Sequence, residues 1–191
     1  MEYGLAALVG YLCGAIPVAL LVARRHGVDL LTVGDRNPGA WNALDHLGAR
    51  RAWPAFVGDG AKALVPAAAA HLAFGYWPAF AAVAGAMVGH AFPVPHPSRG
   101  GKSIMCFVGG AFALSPLAAG ICGALAIVIT LAAAFKYAAR AAVGAFPFVL
   151  YVTDPIEHVA AIGALMTFIG VLFVTRRRVP ASAAPGAPPT T

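Results

Sequence analysis

Two short polar stretches stand out in an otherwise oily chain: Gly34-Asp35-Arg36-Asn37-Pro38-Gly39-Ala40-Trp41-Asn42 and Ser98-Arg99-Gly100-Gly101-Lys102-Ser103. Both carry groups that suit an anion. Glycines let peptide N–H groups approach a ligand closely, and successive N–H groups in a turn form a concave nest for negative charge. In the first stretch Gly34 and Gly39 supply turns, Asn37 and Asn42 supply amides that can hold them, and Arg36 supplies a cation. In the second, Gly100 and Gly101 offer bare peptide amides, Lys102 a mobile ammonium and Ser103 a hydroxyl. An apolar helix opens there, and its first-turn N–H groups and dipole favour an anion. This is a chemically complete phosphate cradle, although it lacks the GxxxxGK[ST] spacing of a Walker A loop. Alone, the first stretch reads as a connecting loop and the second equally well as a basic loop that fixes membrane topology. Their occurrence beside further polar clusters favours a site.

Two of those clusters lie within or at the end of apolar runs. Asp59 and Lys62 are three residues apart, so they share a helix face and can pair. Ionisable groups inside a span are costly and turn toward the bundle interior or water. The pair reads as structural support for a site, with direct reach toward a ligand as the alternative. His90 follows Gly89 and precedes Phe92-Pro93. An imidazole there can bond loop carbonyls, hold a phosphate or act as a base. His26, His46, His71, His96 and His158 show no ligand spacing, and Cys13, Cys106 and Cys122 read as small buried hydrophobes. Neither a protein-bound metal nor a cofactor is expected.

The elements that must position these groups follow from composition. The chain is 60% hydrophobic and 10% charged, against roughly a quarter charged for a soluble domain. So much apolar surface calls for a bilayer. Apolar runs lie near 3–23, 54–74, 77–92, 103–115, 117–135, 140–152 and 156–175. A crossing needs about 20 residues, so the fourth and sixth runs are short. Charge settles their count. Seven crossings with the N-terminus outside put every one of the 13 Lys and Arg residues except Lys62 on one side. Positive loops stay in the cytoplasm. The expectation is therefore an all-α integral membrane domain over 1–178, seven transmembrane helices, N-terminus outside and C-terminus cytoplasmic, in the inner membrane. A disordered Pro- and Ala-rich tail follows over 179–191. Arg24 and Arg25 follow the first run, and no basic residue precedes it, so it reads as a retained span. The net charge of +6 is scattered over loops, which points to orientation and gives no reason to expect nucleic acid.

The order of clusters resembles the bacterial membrane acyl-phosphate:glycerol-3-phosphate acyltransferases, the PlsY family. That family's first motif is roughly GSGNxGATNxxR, matched in register by Gly34, Asn37, Gly39, Ala40 and Asn42. Its second is roughly GHxFPxxxxFKGGKGVAT, matched by Gly89, His90, Phe92, Pro93, Gly100, Gly101 and Lys102. Asp59 and Lys62 match its DxxK pair. Departures are specific. Asp35 stands for Ser, Arg36 for Gly, Trp41 for Thr and Asp45 for the motif's Arg; Ser103 stands for Gly, Met105 for Ala and Cys106 for Thr. The family's third, Asn-containing motif has no match around Arg176-Arg177-Arg178.

The resemblance implies an enzyme that moves an acyl group from acyl-phosphate to glycerol-3-phosphate, giving lysophosphatidic acid for phospholipid synthesis, with the acyl chain among membrane lipids. Lys102, Gly100 and Gly101 would hold the phosphoryl group, with Ser103 beside them. Asn37 and Asn42, with Arg36 as a replacement cation, would place the acceptor, and His90 would shape the second motif. Two alternatives stay open: a non-catalytic relative that binds lipid phosphates, and an acyltransferase with another acceptor. A transporter is disfavoured because no inverted repeat is visible.

Overall fold

The computed structural model describes residues 1–132 and 135–176. Arg177, Arg178 and the tail over 179–191 lie outside the described residues. Those described form helices α1 (Glu2–Gly14), α2 (Val18–Arg24), α3 (Ala40–Leu47), α4 (Ala49–Phe74), α5 (Tyr76–Ala91), α6 (Ile104–Leu114), α7 (Pro116–Ala132), α8 (Phe135–Thr153) and α9 (Ile156–Thr175), with a 3-10 turn at Pro97–Arg99. The stretches Glu2–Arg24 and Ile156–Thr175 are each long and apolar enough to cross a membrane.

Three features depart from the sequence reading. The first apolar run is not one helix but α1 and α2, interrupted at Ala15-Ile16-Pro17. Pro17 has no N–H to donate, and its ring would crowd the carbonyl one turn back. The carbonyl of Ile16 accepts a hydrogen bond of 2.9 Å from the Lys62 ammonium of α4. Backbone freed inside a membrane bundle persists only where protein or a cavity satisfies it, and Lys62 does so here. Second, the long inner loop contains a further helix, α3, and α4 begins at Ala49. Pro54 therefore lies past the first turn of its helix, while Pro78 sits in the first turn of α5. Third, α6 has only 11 residues, about 16 Å of rise, far short of a hydrocarbon core about 30 Å thick. The loop carrying Lys102 therefore sinks into the bundle ahead of it, and Gly100, Gly101 and Ser103 are all buried.

Small residues set how closely the helices approach. Gly10 and Gly14 on α1 face Gly85 and Gly89 on α5, two four-residue glycine spacings in reciprocal contact. A Cβ at Gly10 would strike the carbonyl of Ala82; at Gly14, that of Ala86; at Gly85, that of Ala7; at Gly89, that of Tyr11. Helices in lipid gain from such close contact because no hydrophobic force drives them together. Gly109 of α6 lies against Gly60 of α4 in the same way. The main core is accordingly rich in alanine, including Ala63, Ala67, Ala79, Ala82 and Ala86, with Val83, Met87 and Phe107 filling the gaps. A second core joins α2, α3 and the start of α4 through Leu20, Ala23, Leu30, Ala40, Ala43, Ala52 and Ala55. It underlies the Gly34–Asn42 loop. Outward-facing Leu72, Leu131, Phe148 and Val152 are fully or largely exposed, as expected of a surface solvated by lipid tails.

Candidate functional site

The Gly34–Asn42 loop is built around one side chain. Asn42, buried on α3, donates through its amide nitrogen to the carbonyls of Leu30 (3.0 Å), Val33 (3.1 Å) and Asn37 (3.1 Å). That group has two protons, so one bond is shared and none remains for a ligand. Gly34 has φ +56°, and a Cβ there would run into the Asn42 amide. Asp35 accepts from the backbone N–H of Asn37 at 3.0 Å, closing an Asx turn. The loop is thus held from below by Asn42, while Asp35, Arg36 and Asn37 remain half-buried at its surface.

The second stretch folds against the end of α5. The N–H of Gly101 donates to the His90 carbonyl at 3.0 Å. A Cβ at Gly101 would strike the His90 ring, and one at Gly100 the Ala91 carbonyl. These glycines permit close packing of the loop on α5, a different use from the open amide nest read in the sequence. Ser103 donates its hydroxyl to the Met87 carbonyl at 2.7 Å and is buried, so it ties α6 to α5 rather than offering a group to the cleft. Helix α6 starts at the next residue without a side-chain cap, and the N–H groups of its first turn have no partner within the helix.

Lys102 joins the two stretches. Its ammonium lies 3.0 Å from an Asp35 carboxylate oxygen and 4.8 Å from the centre of the Phe173 ring. Asp35 thus meets the lysine of the other motif, 67 residues away. Arg176, at the end of α9, donates to the Gly101 carbonyl at 3.2 Å and stacks over Phe92, 4.5 Å from its ring centre. Helix α9 therefore leans on the Lys102 loop.

Beneath lies the intramembrane pair. Lys62 and Asp59 approach to 3.0 Å with side chains only 4% and 2% exposed. The contact is ionic, its angles unsuited to a hydrogen bond at that Asp59 oxygen. His90 Nδ1 lies 3.9 Å from the same oxygen. The Lys62 ammonium bridges Asp59 and the Ile16 carbonyl, so it ties α4 to the helix break. Asp59, Lys62 and His90 line a narrow cleft of about 20 Å³ with Pro38, Arg99, Gly101 and the Gly14–Pro17 break. That volume holds about one water. Residues of both polar stretches, the Asp59–Lys62 pair and His90 meet there. Trp41 packs edge-on against Phe56 of α4 at 5.6 Å, and Asp45 is exposed on α3.

Sequence reasoning brought Lys102, His90, Asn37, Gly34, Gly39, Asp59 and Lys62 into one neighbourhood. It missed the Ile16 carbonyl, for which Pro17 inside an apolar run is the signal, and the contact of Asp35 with Lys102, for which no local signal exists. Arg99, to which it gave no role, borders the cleft.

Comparison with known proteins bears on the whole arrangement. The family described as glycerol-3-phosphate acyltransferase matches residues 4–181. A glycerol-3-phosphate acyltransferase of Methylorubrum populi is 41% identical over 155 residues, covering 77% of this chain and 74% of that protein. One from Geotalea daltonii is 32% identical over 170 residues, covering 88% and 86%. Among solved structures, the glycerol 3-phosphate form of PlsY (YgiH), an integral membrane glycerol 3-phosphate acyltransferase, superposes with a TM-score of 0.74 at 27% identity, covering 94% of this chain and 96% of that one. Its lysophosphatidic acid form gives a TM-score of 0.73.

Proposed function

The chain belongs to the glycerol-3-phosphate acyltransferase family, and we propose that it takes its acyl group from an acyl-phosphate at the cytoplasmic face of the bacterial inner membrane. It is a membrane acyltransferase of phospholipid synthesis that acylates glycerol-3-phosphate to lysophosphatidic acid. In the proposed reaction the acceptor hydroxyl oxygen attacks the acyl carbon. The bond from that carbon to the phosphate oxygen breaks, and the hydroxyl proton leaves with inorganic phosphate.

Lys102 is the group that stabilises the leaving phosphate, helped by the uncapped first turn of α6. Charge placed where negative charge develops is usually the largest catalytic term. Asn37 and Arg36 orient the acceptor from the Gly34–Asn42 loop. His90, pressed against Gly101 and within reach of Asp59, fixes the path of the Lys102 loop, and the Asp59–Lys62 pair fixes the helix break below. Gly39 and Asn42 shape the acceptor loop. No Ser–His–Asp arrangement is evident in the sequence, so positioning supplies much of the rate. Seven crossings with the N-terminus outside are supported by the Lys and Arg distribution.

The observation that carries this reading is the 3.0 Å contact of Lys102 with the Gly34–Asn42 loop, which makes one site of two distant motifs. The test is purified protein in lipid given radiolabelled acyl-phosphate and glycerol-3-phosphate. Labelled lysophosphatidic acid from wild type, lost in Lys102→Ala, is the expected result. Acyl-phosphate binding without turnover would replace the donor reading with that of a binding protein.

A further inference from the structure

Asp35 holds Lys102 where a phosphate should. One Asp35 oxygen is fixed by the Asn37 N–H at 3.0 Å and the other meets the Lys102 ammonium at 3.0 Å. Both are lengths of a formed hydrogen bond, and the second joins two ions. The side chain of Asp35 is 45% exposed and that of Lys102 17%, so the carboxylate is the outer member of the pair. A phosphoryl oxygen bound to the same ammonium would take the same place, and two anions cannot share it without repulsion. The resemblance puts an uncharged Ser at this position in the family, so the competing charge belongs to this chain.

We propose that Asp35 is an affinity-setting residue that acts as an internal stand-in for phosphate. Substrate phosphate takes Lys102 by exchange against the Asp35 carboxylate. As inorganic phosphate departs, the carboxylate returns to the lysine. The exchange weakens substrate and product by the same factor, so it raises KM and speeds release of phosphate. The inference rests on the reading of Lys102 as the phosphate-binding cation.

Asp35→Asn is the discriminating variant. Its side-chain oxygen still accepts from Asn37 and keeps the Asx turn, while the competing charge is gone. A purely structural Asp35 would leave phosphate binding unchanged in this variant. The proposal expects KM for acyl-phosphate and the inhibition constant of inorganic phosphate to fall together by roughly five- to thirtyfold, the equivalent of about 1–2 kcal/mol, with the change carried by KM rather than kcat. A second arm needs no turnover: protein in detergent is titrated with inorganic phosphate and its thermal midpoint followed. Half-maximal stabilisation at a five- to thirtyfold lower phosphate concentration in Asp35→Asn than in wild type supports the proposal. Asp35→Ser serves the same purpose should the Asn variant misfold. Equal or weaker phosphate affinity in the variants, or no phosphate response in any of them, overturns it. Absence of turnover in wild type would instead count against the donor reading, and the phosphate titration would still decide Asp35.

Discussion

Removing the Lys62 ammonium offers the sharpest test of how this bundle is held. The ammonium serves two partners at once, the Asp59 carboxylate at 3.0 Å and the Ile16 carbonyl at 2.9 Å. Lys62→Met keeps the aliphatic stem and deletes the charge. It leaves a nearly fully buried carboxylate without its counter-ion, a loss of about 3–5 kcal/mol. The Ile16 carbonyl keeps the Val18 N–H at 3.0 Å but loses its bond from Lys62, which adds about 1 kcal/mol. Asp59→Asn alone strands the ammonium and costs about 3 kcal/mol by the same reasoning. The double variant, Asp59→Asn with Lys62→Met, buries no charge at either position and loses chiefly the bond to Ile16, so it should cost only about 1–2 kcal/mol. The two changes then couple by several kcal/mol, well beyond the few tenths expected of independent sites. Reversible unfolding in mixed micelles followed by circular dichroism measures each free energy against wild type. Additive single losses, or singles below about 1 kcal/mol, would refute the claim of a buried pair. If the double variant folds yet fails to turn over, Lys62 belongs among the groups that reach the substrate.

Two other perturbations follow from the geometry. Asn42→Ala strips the bonds from three loop carbonyls and should destabilise by about 1–3 kcal/mol, read by the same unfolding assay, with a raised KM for glycerol-3-phosphate as the Asn37 loop loosens. Gly101→Ala places a methyl against the His90 ring and should cut kcat/KM at least tenfold with less effect on the global midpoint, because the Lys102 loop must shift; unchanged kinetics would show that loop position does not govern activity.

How much of this was legible beforehand differs by element. Helix α9 was read to the residue, because nothing in Ile156–Thr175 interrupts its apolar character and Pro155 marks its start. The α1–α2 break was not, because an apolar run containing Pro17 is compatible with a kinked span as well as a broken one. Lys62, far along the chain, adds a side-chain bond that ties the break to α4. Helix α3 was overlooked because its eight residues are too few to establish a period against flanking glycines. The reciprocal glycines of α1 and α5 were in plain view but carry meaning only once the helices are known to be neighbours.

The site shows the same division. Composition was enough to demand a bilayer, since that depends only on transfer free energies summed along the chain. The glycine-flanked Asn37 and Lys102 stretches named the chemistry, because residue type alone fixes which donors and charges exist. What each group does was decided by neighbours that sequence distance conceals. Gly101 and Asn42 spend their N–H groups on the protein's own carbonyls, and Asp35 reaches across 67 residues to neutralise Lys102. Donor assignment is a matter of ångströms and angles, and only the folded bundle sets those.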